Sequence, residues 1–412
     1  LGKDTYTLGK IRPEMEEELC RVLADFVRIM EGYRVDAYRA MASSAISEAA
    51  NSLYVLGKIR QLTGLSVTVL SNSEQRFLGY KALAAMEDNF NKIIEKGTAI
   101  LDLDGGSFQI SLFDKDALVT TQNIRMGSLR IRERLAGIQS ETEHYEEMVE
   151  ELIWNEVSSF KKMYLKDRKI ENIMLIGDVF TDSVYQNIEE KTTKIISREN
   201  FNTWYEKIIR QSPMELAVKL GIPLENASLM YPSAVIYKCL IDMMGAEHIW
   251  IPGVHMTRGI AYEYAEQMKL LKGGHNFEND ILMAAKNIGK RYAVNRPHVQ
   301  NLEMTALAMF DATKKMHGMK ERERLLLQMA VMLHDVGKYI SFNNVADSSY
   351  NIIMSNEIIG LSHIEREMVA LIARYNTVTL PSYDELVMES SLSAEQYLTV
   401  SELTAIVRLA NA

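Results

Sequence analysis

Apolar and polar positions follow two regimes along this chain, and the change falls near residue 272. Before it, short apolar runs separate amphipathic stretches. Pro13 stands where a first helical turn tolerates it, and an apolar period through Met30 predicts a helix. Val35 to Ala42 reads as a strand, and Ala45 to Leu62 as a helix closed by Gly64. Val67-Thr68-Val69-Leu70 is a short apolar strand. Ser71-Asn72-Ser73 offers an N-cap to the helix after it. Thr98 to Leu101 and Ile110 to Phe113 read as strands around a Gly-rich turn. A charged helix is expected over roughly 141–164, and Ile173 to Ile176 as a strand ending at Gly177. Helices then run to Met244, followed by a strand at Ile249-Trp250-Ile251. Strands alternating with helices predict α/β layers. Lys272-Gly273-Gly274-His275 breaks the pattern. From Ile281 to Ala412 helical periods follow without a convincing strand, which predicts an all-α module.

Composition narrows the function class. At 412 residues, 47% hydrophobic and 25% charged, the chain has apolar content for several cores. Its net charge of −9 disfavours a nucleic-acid partner. Two cysteines, Cys20 and Cys239, exclude a disulfide scaffold and fit a reducing, cytoplasmic setting. No run approaches about 18 apolar residues, so no membrane span is expected. No signal peptide opens the chain. Leu1 falls mid-pattern, and further residues are expected to precede it.

Asp102-Leu103-Asp104-Gly105-Gly106-Ser107-Phe108-Gln109 carries the chemistry. A strand, a Gly-Gly-Ser turn and a second strand can hold a phosphate. The glycines admit close backbone approach, and successive N–H groups can face its oxygens. Gly105, Gly106 and Ser107 are the candidate phosphate binders. Asp102, at the strand end, is a candidate metal or water ligand.

In order along the chain, several segments resemble the exopolyphosphatase / guanosine pentaphosphate phosphohydrolase family. They are Ala42-Ser43-Ser44-Ala45-Ile46-Ser47-Glu48-Ala49-Ala50-Asn51, Thr63 to Ser71, Asp102 to Gln109, Leu333-His334-Asp335-Val336-Gly337-Lys338 and Val407 to Asn411. The resemblance implies an α/β protein of two actin-like (ribonuclease H-like) domains, 1–96 and 97–272. The first of these would lack its N-terminal part. An all-α HD-like domain would follow over 276–412. It implies hydrolysis of polyphosphate or of a guanine nucleotide anion, with Mg²⁺ as cofactor, and by analogy a homodimer. Such hydrolysis needs a phosphate cradle, a neutralising charge and a carboxylate to activate water.

The chain departs from the family pattern where that chemistry resides. Gln75 and Gln109 stand at the positions of two family glutamates, and an amide does not accept a proton at neutral pH. The resemblance implies that these two glutamines meet across the Asp102 loop. Ser47 replaces a phosphate-facing arginine, Asp104 replaces a cradle glycine, and Gly177-Asp178-Val179 replaces a Gly-Gly-Thr turn. Glu74 and Glu48 are the remaining acids that could serve as base. In the helical module, His298, His334 and Asp335 match three of four HD metal ligands, with Asn411 at the fourth. Neutral Asn411 implies that no metal is tightly held there. Three readings stay open: a working phosphohydrolase using Glu74 or Glu48 with Asp102, a silent polyphosphate- or nucleotide-binding regulator, and a metal phosphohydrolase centred on the HD-like module.

Overall fold

The computed structural model describes residues 1–86, 90–135, 145–187, 194–271 and 274–412. Residues 141–144 of the expected charged helix, and 272–273 of the expected break, lie outside them. The chain divides into two compact units. One holds residues 1–116 and 122–274, the other residues 117–121 and 275–412.

The strands of the first unit form two sheets. β1 (Ala40–Ala42) and β2 (Val67–Val69) pair in parallel, Ala40 opposite Val67. They rest on a small core of Ile11, Cys20, Ala42, Ile46, Val55, Ile59 and Leu65. The second sheet is built on β3 (Thr98–Leu103), buried along its whole length. β4 (Phe108–Asp114) pairs antiparallel with β3, placing Asp102 opposite Gln109. β5 (Ala117–Ile124) follows in sequence, and its first five residues group with the second unit. β6 (Asn172–Gly177) runs parallel to β3 on its other side. β7 (Ile195–Ser197) and β8 (His248–Trp250) complete the order β4-β3-β6-β8-β7. Both faces of β3 are buried, so Ala99, Ile100 and Leu101 are apolar without alternation before Asp102. The helix Leu224–Met244 supplies a long buried face, including Tyr237, Leu240 and Ile241.

Several elements differ from the expected ones. The strand expected at Val35–Ala42 shortens to Ala40–Ala42, since Val35 and Tyr38 are exposed and gain nothing from pairing. The helix expected at Ala45–Leu62 is two helices, Ser44–Ser47 and Ser52–Thr63. The chain breaks between them because Asn51 is engaged sideways. Its Oδ1 accepts from Ile11 N, and its Nδ2 donates to Ile11 O and Glu16 Oε1. Both cysteines are free, as expected. No described helix is long and apolar enough to cross a membrane.

The second unit is helical from Phe277 onward, with Phe277–Arg291, Arg296–His317, Glu321–Leu333, Val345–Ser355, His363–Tyr375 and Ala394–Asn411 as its main helices. Side-chain caps at Asn276, Asn295, Ser362 and Ser393 each accept from the N–H three residues on.

Candidate functional site

A cleft of about 350 Å³ opens in the first unit at the ends of β3 and β6. Gln75, Arg76, Asp102, Asp104, Gly105, Ser128, Asp178 and His255 are among its lining residues. Backbone geometry fixes this wall. Gly177 ends β6 with φ of 105°, and a Cβ there would lie 2.2 Å from Leu103 O. The strand therefore stops short and delivers Asp178 to the cleft. Gly106 is equally confined, since a Cβ would meet the Tyr6 hydroxyl at 2.3 Å.

The phosphate-type loop is closed on itself. Asp104 Oδ1 accepts from Gly106 N at 2.7 Å and from Ser107 N at 2.9 Å. A side-chain carboxylate thus takes the two N–H groups that the sequence pattern offered to a phosphate. The other Asp104 oxygen accepts from Gln75 Nε2 at 3.0 Å and from Arg76 at 2.9 Å.

Arg76, which the sequence did not single out, is the centre of the site. Its side chain is 2% exposed. It spans Asp102 at 2.7 Å, Asp104, and both the carbonyl and the hydroxyl of Ser107. Helical spacing carries the only signal for it: Arg76 falls on a helix whose flanking residues Phe77 and Leu78 are buried.

The other candidates take varied positions. Gln109 is not among the residues lining the cleft; it is 3% exposed and donates to Ser111 Oγ at 3.3 Å. The two glutamines thus hold different partners rather than facing each other in a hydrogen bond. Glu74 forms a capping box at the start of the helix Asn72–Met86. Its Oε2 accepts from Ser71 N at 2.9 Å and from Ser71 Oγ at 2.7 Å. Glu48 pairs with Arg130 at 2.8 Å, and Arg130 also donates to Gly106 O and covers the Tyr6 ring. Both glutamates are therefore committed to structural contacts, and neither lines the cleft.

Two carboxylates in the cleft resist ionisation. Burial raises Asp102 to about 6, opposed by the Arg76 guanidinium. Burial raises Asp178 to about 7, opposed by the neighbouring Ser233 hydroxyl and the Thr181 N–H. A raised folded-state value means that the folded chain holds its proton longer than the unfolded chain. Stability therefore falls as pH rises from about 4 to about 7 through Asp178, and the full penalty persists above. Asp178→Asn keeps the cap to Thr181 and removes the charge. We expect it to gain about 1–3 kcal/mol over the native chain above pH of about 7 and progressively less toward about 4. Denaturant unfolding at several pH values checks this; an advantage that does not vary with pH contradicts it.

The second unit holds a cavity of about 720 Å³ lined by His298, His334, Asp335, Lys338, Arg374, Asn376 and Asn411, among others. Ligand atoms of His298, His334 and Asp335 lie within 4.8 Å of one another. His334 Nδ1 lies 2.7 Å from Val331 O, which fixes it as the protonated nitrogen and leaves Nε2 a free lone pair. That Nε2 is buried without a hydrogen-bond partner, and burial pushes the imidazole below its ordinary value. These three donors fit a divalent transition metal. Asn411 instead reaches Asn376 Oδ1 at 3.4 Å, and the Lys338 ammonium sits 2.5 Å from Asp335. Ser349 joins Gly337 N to His334 O and ties the loop together.

This chain has counterparts among known proteins. Residues 1–268 match the Ppx/GppA phosphatase family, and residues 282–412 match Ppx/GppA phosphatase, domain III. A guanosine-5'-triphosphate,3'-diphosphate pyrophosphatase of Photobacterium profundum is 19% identical over 391 residues, covering 93% of this chain and 75% of that protein. The protein of the same description from Vibrio atlanticus is 18% identical over 375 residues, covering 90% and 72%. Among solved structures, an exopolyphosphatase from Cytophaga hutchinsonii aligns with a TM-score of 0.55 at 16% identity, covering 63% of this chain and 84% of that one. The Aquifex aeolicus Ppx/GppA family member aligns with a TM-score of 0.52 at 16% identity, covering 65% and 87%. At such identities the structures speak for the fold, the actin-like α/β architecture. The chain belongs to the Ppx/GppA phosphatase family.

Proposed function

We propose that this chain is a Ppx/GppA-family protein whose hydrolysis of polyphosphate or guanosine pentaphosphate is weak or lost. One observation carries the reading: the Asp104 carboxylate occupies the Gly106 and Ser107 amides that would hold a phosphoryl group. A polyanion entering the cleft must displace this carboxylate and face Asp102 and Asp178 beside it. Gln75 offers an amide where the water-activating carboxylate would stand. Mg²⁺, which the family resemblance implies, does not fit this cleft, because Arg76 already holds Asp102 and Asp104. The test is phosphate release from polyphosphate and from guanosine pentaphosphate with Mg²⁺. Release no faster than in buffer supports the reading, and sustained turnover by the native chain overturns it.

A second reading rests on the His298, His334 and Asp335 trio, an HD-like metal centre in the helical unit. With three donors, a neutral Asn411 and Lys338 competing for Asp335, metal binds weakly there. The purified chain is expected to carry well under one equivalent of Mn, Fe or Zn. Added Zn²⁺ should bind, and Lys338→Met should tighten it by about tenfold by freeing the Asp335 carboxylate. One tightly held ion per chain, lost on His334→Ala, would move the chemistry of this protein to the helical unit.

A further inference from the structure

A second cavity in the helical unit, about 160 Å³, is lined by the helices Phe277–Arg291 and Arg296–His317 and by the turn that joins them. Val294, Val299 and Met332 give it an apolar wall. Gly289 lets Val294 lie against the helix, since a Cβ there would come within 3.1 Å of Val294 Cγ2. Lys286, Lys290 and Arg296 line the same cavity and are exposed. None of these three cations makes a side-chain hydrogen bond or an ion pair. Arg296 stands apart in this respect. Among the described residues, the unit's other arginines, Arg291, Arg322, Arg324, Arg366, Arg374 and Arg408, each bond to a carboxylate, an amide or a carbonyl. Helix electrostatics explains only Lys290, which answers the C-terminal end of its own helix. Lys286 is a like charge four residues before it, and Arg296 opens a helix whose positive end disfavours a cation. Glu303, the carboxylate in the lining, accepts from Gln328 Nε2 at 2.7 Å. Three unanswered cations beside an apolar wall call for an anion that carries an apolar body.

We propose that this cavity binds a small organic carboxylate, one anionic head on an apolar body about the size of benzene. An apolar cavity of about 150 Å³ holds such a ring. The Arg296 fork offers paired donors that match the two oxygens of a carboxylate, and Lys286 and Lys290 add compensating charge. A neutral ring would leave the cations unanswered. Inorganic phosphate would answer them but leave the apolar wall to water. None of these residues belongs to the cleft of the first unit or to the His298, His334 and Asp335 trio, so this binding is tested separately from phosphate release and metal content.

The experiment is a methyl NMR titration of the full chain with benzoate, with benzyl alcohol and with inorganic phosphate. Benzoate should shift the Met332 and Val299 methyl resonances saturably. Benzyl alcohol and phosphate should each bind at least about tenfold more weakly, because each answers only half of the lining. Arg296→Gln and Lys290→Gln, both at exposed positions that folding tolerates, should each weaken benzoate by about tenfold, the scale of a hydrogen bond to a charged group. No saturable shift with benzoate overturns the proposal. Benzyl alcohol binding as tightly as benzoate overturns it, because the cations then play no part. Phosphate binding as tightly does so too, because the apolar wall is then unused. Benzoate binding indifferent to both substitutions also overturns it, since the ligand then sits elsewhere.

Discussion

Arg76→Met is expected to destabilise the first unit by about 3–5 kcal/mol. The cause is not the lost attraction alone. Removing one partner of a buried ion pair leaves the other charge without solvent or counter-charge. Asp102 is 8% exposed and already raised to about 6 with Arg76 beside it. Without Arg76 it must either stay ionised in a dry site or hold its proton. The loss should therefore shrink as pH falls below about 6, where Asp102 is neutral in either chain. Asp102→Asn combined with Arg76→Met should recover much of the stability, because the two side chains act as a pair. Urea unfolding of the first unit across pH measures all three. Equal losses at acid and neutral pH would show that Arg76 contributes packing rather than charge compensation.

A larger kinetic effect is expected from rebuilding the family site. Gln75→Glu and Gln109→Glu restore the two acids but should do little by themselves. A glutamate at 75 would face Asp104, which now accepts from the Gln75 amide at 3.0 Å. Two carboxylates at that distance repel, and the loop amides remain filled. Adding Asp104→Gly removes the repulsion and frees the amides of Gly106 and Ser107 together. The triple variant should then release phosphate from polyphosphate about 10²–10⁴ times faster than the native chain, the usual scale of general-base catalysis. Colorimetric phosphate release with Mg²⁺ reads this. Equal rates in the native chain and the triple variant would mean that Gln75 is not where the base belongs.

The α/β regime, the helical module and the Gly-rich hairpin were legible because each rests on local pattern. β3 and β4 flank a Gly-Gly turn, and apolar periodicity of 3.6 runs through the helices after Phe277. Asn51 was opaque, since its bonds to Ile11 and Glu16 span 35 to 40 residues of chain and carry no local mark. The same holds at the cleft. That Asp104 departs from a glycine was visible; that its carboxylate takes the loop amides depends on a side-chain direction. An Asp before Gly-Gly is nevertheless a familiar turn former, a signal that pointed the right way. Arg76 carries no local mark, because a helix charge is ordinarily solvated and only the fold brings Asp102 and Asp104 to it. Glu74 is an acid beside Gln75, yet Ser71 three residues before it spells a capping box, the role it takes.

The loop is filled by its own carboxylate, Asp104. The amide resonances of Gly106 and Ser107 report this most directly, followed by ¹⁵N-edited NMR while tripolyphosphate is added. In the native chain both should stay in place, and in Asp104→Gly both should move and saturate. Saturable shifts of these two amides in the native chain would contradict the account, because the cradle would then be open to phosphate.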